Sequence, residues 1–402
     1  MGRYTVLDAT NQDQLQDQHS NEVLRPNMKI VVVAESFLPA INGVTNSILR
    51  VIEHMTERGH EVTVIAPAPG VTAYKGATII RVPSFALPGY PELRIGHSRT
   101  YVRNILRELK PDLVHIGSPA VLGAASLRAA QDLSIPSVAI YQTDLAGFAQ
   151  RYHLGLAGRS IWRYIAHIHK KADLTLAPST SAVWDLRERG VDNVVRWMRG
   201  VDLERFNPSF RDEEWRQSIA PDGQMIVGFV GRLAREKQID RLKELCHLPH
   251  IKVVIVGDGP MRSKLQKELK GAIFTGFQSG TELSKMYASF DAFVHTGTDE
   301  TFCQAVQEAL ASGIPVVAPA SGGPLDLVQH GHNGFLWTET SRYSLVGAVT
   351  ELMQYPVKRE RLAANARSSV EIRPWSSVMD ELEGHYRSVI GGLSFAYRGI
   401  AA

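Results

Sequence analysis

From residue 29 onward the chain alternates short apolar runs with longer stretches whose apolar residues recur every three or four positions. "KIVVVAES" reads as a strand, "GVTNSILRVIEHMTERGH" as an amphipathic helix closed by Gly-His, and "EVTVIAP" as the next strand. "ATIIRVP", "DLVHIGS", "SVAIYQT" and "DLTLAPS" continue the series of strands, with helical segments between several of them. The pattern then begins again: "QMIVGFVG", "IKVVIVGDG", "AIFTGF", "DAFVHTG" and "PVVAPA" read as strands. Between them "KQIDRLKELCHL", "MRSKLQKELKG", "TELSKMYASF" and "TFCQAVQEALASG" read as helices. Such alternation predicts an α/β protein of two successive doubly wound, Rossmann-like domains, each a parallel sheet covered on both faces.

Gly200 and Pro208 interrupt the periodicity in "RGVDLERFNPSFRDEEW", which puts the boundary there. The expected division is a first domain over 28–203 and a second over 204–375. A final helix, "SSVMDELEGHYRSVI", and tail over 376–402 are expected to pack back on the first domain. Residues 1–27 are polar, have no apolar core of a signal peptide, and are expected to be disordered, with order beginning near Met28.

A chain of 402 residues exceeds what one hydrophobic core serves, which agrees with two domains. A net charge of +3 gives no reason to expect nucleic acid as partner. Cys246 and Cys303 lie far apart and lack metal-ligand spacing, so neither a disulfide framework nor a zinc site is expected, and a cytoplasmic setting fits. No apolar run approaches the roughly 18–20 residues that span a bilayer.

Ligands of open parallel sheets bind beyond the carboxyl ends of the strands, and the polar residues that could carry chemistry fall there. After the first strand, "AESFLPAINGV" holds only Gly43 of the three glycines of a dinucleotide turn, which disfavours a nicotinamide enzyme. The backbone at Asn42 and Gly43 reads either as an ordinary helix start or as a phosphate contact at a helix N-terminus. "GFVGRLAREK" directs Arg232 and Lys237 from a strand end, as a diphosphate requires. Gly257 in "VGDGP" marks a tight turn with or without a nucleotide, and "FTGFQSG", with Gly276, Phe277 and Gln278, can hold a flat base. "DETFCQAVQEALASG" sets Glu300 before a helix and Glu308 within it, with the amides of Thr301, Phe302 and Cys303 expected at the helix start, where they would attract an anion.

"ETFCQAVQEALASGIPVVA" resembles the E-x7-E signature of retaining glycosyltransferases of the family-4 type, which have the GT-B fold of two facing Rossmann-like domains. "GRLAREK", "VGDGP", "RGVDLERFNP" and "GHNGFL" resemble that family's other landmarks, in the family's order. "VAESFLPAINGVTNSILRVIEHM" and "YQTDLAGFAQRY" are similar to the actinobacterial GDP-mannose-dependent α-mannosyltransferases of cell-envelope glycolipid synthesis.

The resemblance implies that Arg232 and Lys237 neutralise the donor diphosphate, that Glu300 contacts the transferred sugar with the amides of Thr301 to Cys303, and that Glu308 binds the ribose. It places Gly43 against the phosphate, Gly257 among the donor contacts, and the Gly276–Gln278 loop over the base. Many relatives carry a histidine before a threonine where this chain has Gln142, so a role resting on an imidazole does not transfer; Asp144 remains able to contact sugar or acceptor hydroxyls. No Asp-x-Asp run lies near these loops, so no metal or other cofactor is expected beyond the nucleoside-diphosphate sugar. The family retains anomeric configuration, with same-face attack and the leaving phosphate as base the expected route.

The expected acceptor is a lipid-linked sugar, of the glucuronosyl diacylglycerol or phosphatidylinositol-mannoside type. Residues 145–172 contain Arg151, Arg159, Arg163, Lys170 and Lys171, no acidic residue, and interleaved Tyr152, Trp162 and Tyr164. That composition suits an anionic membrane surface, here the inner face of the plasma membrane, and equally a packed helix with a solvated basic face. The competing functions are a glucosyl- or sulfoquinovosyl-transferase using a UDP donor and a diacylglycerol lipid, an epimerase or hydrolase of nucleotide sugars, and a non-catalytic nucleotide- or glycan-binding protein.

Overall fold

The computed structural model describes residues 27–40, 43–87, 90–96, 99–142, 155–339 and 344–393. It contains two large sheets. The first has strands β1 (Lys29–Val33), β2 (Glu61–Pro67), β3 (Ala73–Tyr74) and β4 (Ala77–Val82), followed, after the separate hairpin β5 (Ser84–Leu87) and β6 (Tyr90–Gly96), by β7 (Leu113–Ile116), β8 (Ser137–Ile140), β9 (Leu174–Ala177) and β10 (Val194–Arg196). Their spatial order is β10-β9-β8-β7-β1-β2-β4-β3, parallel except where β3 meets β4. The second sheet is formed by β11 (Met225–Val230), β12 (Ile251–Val256), β13 (Ile273–Gly276), β14 (Ala292–Val294), β15 (Val316–Pro319) and β16 (Gly334–Trp337). It is wholly parallel, in the order β13-β12-β11-β14-β15-β16.

The central strands are apolar over most of their length because helices cover both faces. Ile30, Val31, Val32 and Val33 are all buried, as are Val253, Val254, Ile255 and Val256. Strand order reverses between β1 and β7 in the first sheet and between β11 and β14 in the second. At each reversal the flanking loops diverge to opposite faces and leave a crevice at the carboxyl edge.

"KQIDRLKELCHL" departs from the expected helix. It forms three short 3-10 pieces, Arg235–Lys237, Ile239–Lys243 and Leu245–His247. Gln238, in the left-handed region at φ 48°, separates the first two and prevents a continuous α-helix. Its apolar residues Ile239, Leu242 and Leu245 are nevertheless buried, so the periodicity located the core face and not the type of turn.

Between the sheets the chain passes twice. The outward crossing at Val201 lies beside the returning one at Pro374, joined by a bridge and by the amide of Val201 donating to the Arg373 carbonyl at 3.2 Å. Gly200 permits this approach, since a Cβ there would stand 2.7 Å from the Trp375 Cα. The last helix, Trp375–Ile390, then buries Val378, Met379, Leu382 and Tyr386 in the same core as β1, β2 and the helix Gly43–Glu57. Trp197 Nε1 donates to the Val378 carbonyl at 3.1 Å, and the Tyr386 hydroxyl pairs with His115 Nδ1 at 2.6 Å, both away from solvent.

Leu382 is fully buried between the last helix and the first sheet. Leu382→Ala should therefore lower the unfolding free energy by about 2–5 kcal/mol in a urea titration, a core-sized loss that a peripheral terminal helix would not show.

Candidate active site

The side chains that meet at the carboxyl edge of the second sheet come from its strand-order reversal. β11 runs into the loop bearing Arg232 and Lys237; β14 runs into His295 and then the turn bearing Glu300. Lys237 Nζ pairs with Glu300 Oε1, and His295 Nε2 lies 3.2 Å from that same oxygen. Thr296 fixes the floor by donating its hydroxyl to the Lys237 carbonyl at 2.6 Å. Glu300 retains 17% exposure of its side chain, enough to face a ligand.

Burial disfavours charge on all three groups, and their mutual attraction overcomes it. Glu300 is thereby held well below the usual carboxylate range, chiefly by the Lys237 ammonium once burial is overcome. His295 is lifted to about 9 against its burial by Cys303 and Glu300, and Lys237 is raised against its burial by Glu300. Arg199 is pulled down to about 10 by burial, with Glu300 opposing. Arg232 differs from Lys237: it is exposed, and its side chain has no partner among the described residues.

The helix of the E-x7-E stretch starts later than expected. It spans Gln304–Ala311 with Cys303 as its cap, in the left-handed region at φ 80°. Thr301, Phe302 and Cys303 therefore form the turn before the helix, and its free amides begin at Gln304. Phe302 is a core residue, while the Thr301 hydroxyl reaches the other sheet, donating to the Gln142 carbonyl at 3.2 Å.

Glu300 and Glu308 face different cavities. Glu300 lines one of about 180 Å³ with Tyr141, Ser181, Asp185 and Thr301. Glu308 lines one of about 270 Å³ with Gly43, Arg50, Arg199, Asp202 and Arg205. Burial lifts Glu308 to about 7, with the Tyr287 hydroxyl, donating at 3.0 Å, and Arg205 opposing and Asp202 adding to the rise.

Gln142 is buried, and both ends of its amide are committed to the protein. Nε2 donates to the Gly117 carbonyl at 2.7 Å, and Oε1 accepts from Arg199 at 2.7 Å. Arg199 in turn stands 3.5 Å from where a Cβ on Gly43 would be. Gly257 answers a packing need, since a Cβ there would lie 2.0 Å from the Gly231 carbonyl. Gly276, at φ 77°, turns the chain so that Phe277 projects with 74% exposure, and Gln278 ties back to the Thr275 carbonyl at 3.2 Å. Asn42 and Asp144 lie outside the described residues, as does the first part of the basic segment, 145–154.

His295, Arg199 and Arg205 escaped the sequence reading. Each lies in a quoted stretch, His295 in "DAFVHTG" and the two arginines in "RGVDLERFNP", but none was singled out as a site residue. Glu35 escaped too. It is buried at the reversal of the first sheet, accepting from the amides of Ala120 at 3.0 Å and Gly123 at 2.8 Å.

Comparison with known proteins agrees with this geometry. The family described as "Glycosyl transferases group 1" matches residues 210–369, and "Glycosyltransferase Family 4" matches residues 41–205. The chain belongs to this family, and it is a glycosyltransferase of the GT-B fold. It is 49% identical over 371 residues to a GDP-mannose-dependent alpha-mannosyltransferase of Mycolicibacterium smegmatis, covering 90% of this chain and 98% of that one. It is 34% identical to the sulfoquinovosyl transferase SQD2 of Arabidopsis thaliana, covering 90% and 74% respectively. HepE of Anabaena, solved with UDP, superposes with a TM-score of 0.74 at 20% identity, over 90% of this chain and all of that one.

The raised Glu308 makes a pH prediction. An acid whose folded value exceeds its ordinary 4.5 penalises folding increasingly as pH rises from 4.5 through about 7. Glu308→Gln should raise the melting temperature clearly at pH 8 and much less at pH 5; equal shifts at both would contradict a charge buried at cost.

Proposed function

We propose that this glycosyltransferase moves mannose from GDP-mannose to a membrane glycolipid, of the glucuronosyl diacylglycerol or phosphatidylinositol-mannoside type, with retention of configuration. The observation that carries the donor assignment is the 49% identity over nearly the whole chain to an enzyme named for that donor and reaction. The geometry supports the chemistry. Departure of a nucleoside diphosphate develops negative charge on the leaving oxygens, and preorganised cations stabilise it more in the transition state than before.

Arg232, exposed at the strand end and unpaired among the described residues, is a cation available to the diphosphate, and Lys237 reaches the same crevice. Glu300, kept ionised by Lys237 and His295, accepts hydrogen bonds from hydroxyls of the transferred sugar. Glu308 takes the ribose, Phe277 and Gln278 cover the base, and Gly43 leaves room for the phosphates beside Arg199. Gln142 acts through Arg199, because its own amide is already engaged. The diphosphate is met by these cations without a metal, and the leaving phosphate removes the proton of the attacking hydroxyl.

The acceptor enters through the cavity that Glu300 shares with Tyr141, Ser181 and Asp185. Among the described residues no helix is long and apolar enough to cross a membrane. The enzyme meets its lipid at the surface instead, through the helix Gly155–His169 and the segment before it. Arg159, Arg163, Tyr164 and Lys170 are exposed on or next to this helix. Trp162 is covered by Arg189 at 4.0 Å and is not part of that surface.

Purified protein given labelled GDP- and UDP-sugars with cell-envelope lipids, with and without EDTA, should turn over GDP-mannose equally in both conditions; turnover confined to UDP donors would shift the reading to the sulfoquinovosyl or glucosyl class. On the working donor, Glu300→Ala should lower kcat by roughly 100- to 1,000-fold, while Glu308→Ala should mainly raise KM. Flotation with liposomes should strengthen as anionic lipid is added and weaken on Arg159→Glu/Arg163→Glu; indifference to lipid charge would contradict the surface assignment.

A further inference from the structure

The turn between β14 and the helix Gln304–Ala311 gathers three side chains with a ligand set unlike that expected for a sugar site. A ring nitrogen of His295, a carboxylate oxygen of Glu300 and the Cys303 sulfur all lie within 4.8 Å of one another. His295 is 2% exposed, and its Nε2 lies 3.2 Å from Glu300 Oε1. Gly297 keeps the space beside them open, since a Cβ there would stand 3.2 Å from His295 Nε2 and 3.4 Å from Glu300 Oε1. Cys303 is held toward the group by a backbone conformation that a cysteine rarely adopts.

Imidazole, carboxylate and thiolate together are the donor set of zinc-class cations, not of magnesium or calcium. A tetrahedral zinc with bonds of 2.0–2.3 Å sets its ligands about 3.3–3.8 Å apart. The 3.2 Å between His295 and Glu300 is already close to that spacing, and the thiol needs only a small approach.

We propose that His295, Glu300 and Cys303 bind one thiophilic divalent cation, of which Zn²⁺ is the type, and that its occupation excludes the sugar donor. The cation takes the carboxylate that Lys237 now holds, and the Cys303 thiol releases its proton to solvent on binding. Glu300 cannot then receive the donor's hydroxyls, so the metal acts as an inhibitor and not as a cofactor. The exclusion rests on Glu300 as a donor contact, whereas the binding does not.

The test uses the full chain titrated with Co²⁺ and with Zn²⁺. Cobalt should produce a sulfur-to-cobalt absorption that survives Cys246→Ser and is lost in Cys303→Gly, a variant whose glycine accepts the local φ without strain. Zinc, measured against a chromophoric chelator, should bind at least tenfold more weakly to Cys303→Gly and to His295→Gln. A second group, His54, Asp380 and Glu383, has no sulfur, so a His54→Gln background removes its contribution without touching the cobalt signal. In the wild-type protein zinc should depress transfer at least tenfold, reversibly on chelation, with donor weakening the apparent zinc affinity. Cobalt binding without the sulfur absorption, or zinc affinity unchanged in both variants, overturns the site. The sulfur absorption together with unimpaired transfer overturns the exclusion of donor. Should no donor turn over at all, cobalt spectra with and without GDP-mannose still decide the binding.

Discussion

The buried pairing of Lys237 with Glu300 is the interaction around which the rest of the site is arranged. A carboxylate at the end of β14 and an ammonium from the loop after β11 would each be costly to bury alone. Together, with His295 on the same carboxylate oxygen, they stay charged in a crevice that still admits a ligand. The strand-order reversal makes the meeting possible, because it brings the ends of strands 11 and 14 side by side although about 60 residues separate the two loops. Closing the crevice then depends on contacts between the sheets: Thr301 to Gln142, Gln304 to the Gly200 carbonyl, and Asp326 to both the amide and the hydroxyl of Thr180.

These contacts give the first sheet a part in the candidate site that is larger than the one helix start at Gly43. Arg199 is the connecting piece. It leaves β10, accepts no competition from a side chain at position 43, is fixed by Gln142, and feels the charge of Glu300. A relative movement of the two sheets would therefore change both the electrostatics around Glu300 and the room beside Gly43.

Much of the architecture was legible because parallel strands buried on both faces must be continuously apolar, and "KIVVV" and "IKVVIV" can hardly be anything else. The E-x7-E stretch was legible as a loop running into a helix, but its helix start was misplaced by the left-handed Cys303, since no propensity announces a cysteine in that conformation. "KQIDRLKELCHL" misled for a similar reason: its apolar spacing suits a helix and a run of 3-10 turns alike, and the difference lies in the backbone of Gln238. His295 and Arg199 were illegible for another reason. A lone histidine or arginine after a strand acquires meaning only from what the fold brings opposite it, and no spacing within the chain encodes the approach of Glu300 or Gln142.

The final helix has a consequence for how the molecule is made. Its residues Val378, Leu382 and Tyr386 complete a core whose first strand begins at Lys29. During synthesis the first sheet thus waits, with an apolar seam beside Trp197 uncovered, until the entire second sheet has been translated and the helix Trp375–Ile390 has followed it. The second half has no such wait, since its strands are contiguous from Met225 to Trp337. The order of completion is therefore the reverse of the order of translation, and the half that emerges first depends longest on being kept from aggregation.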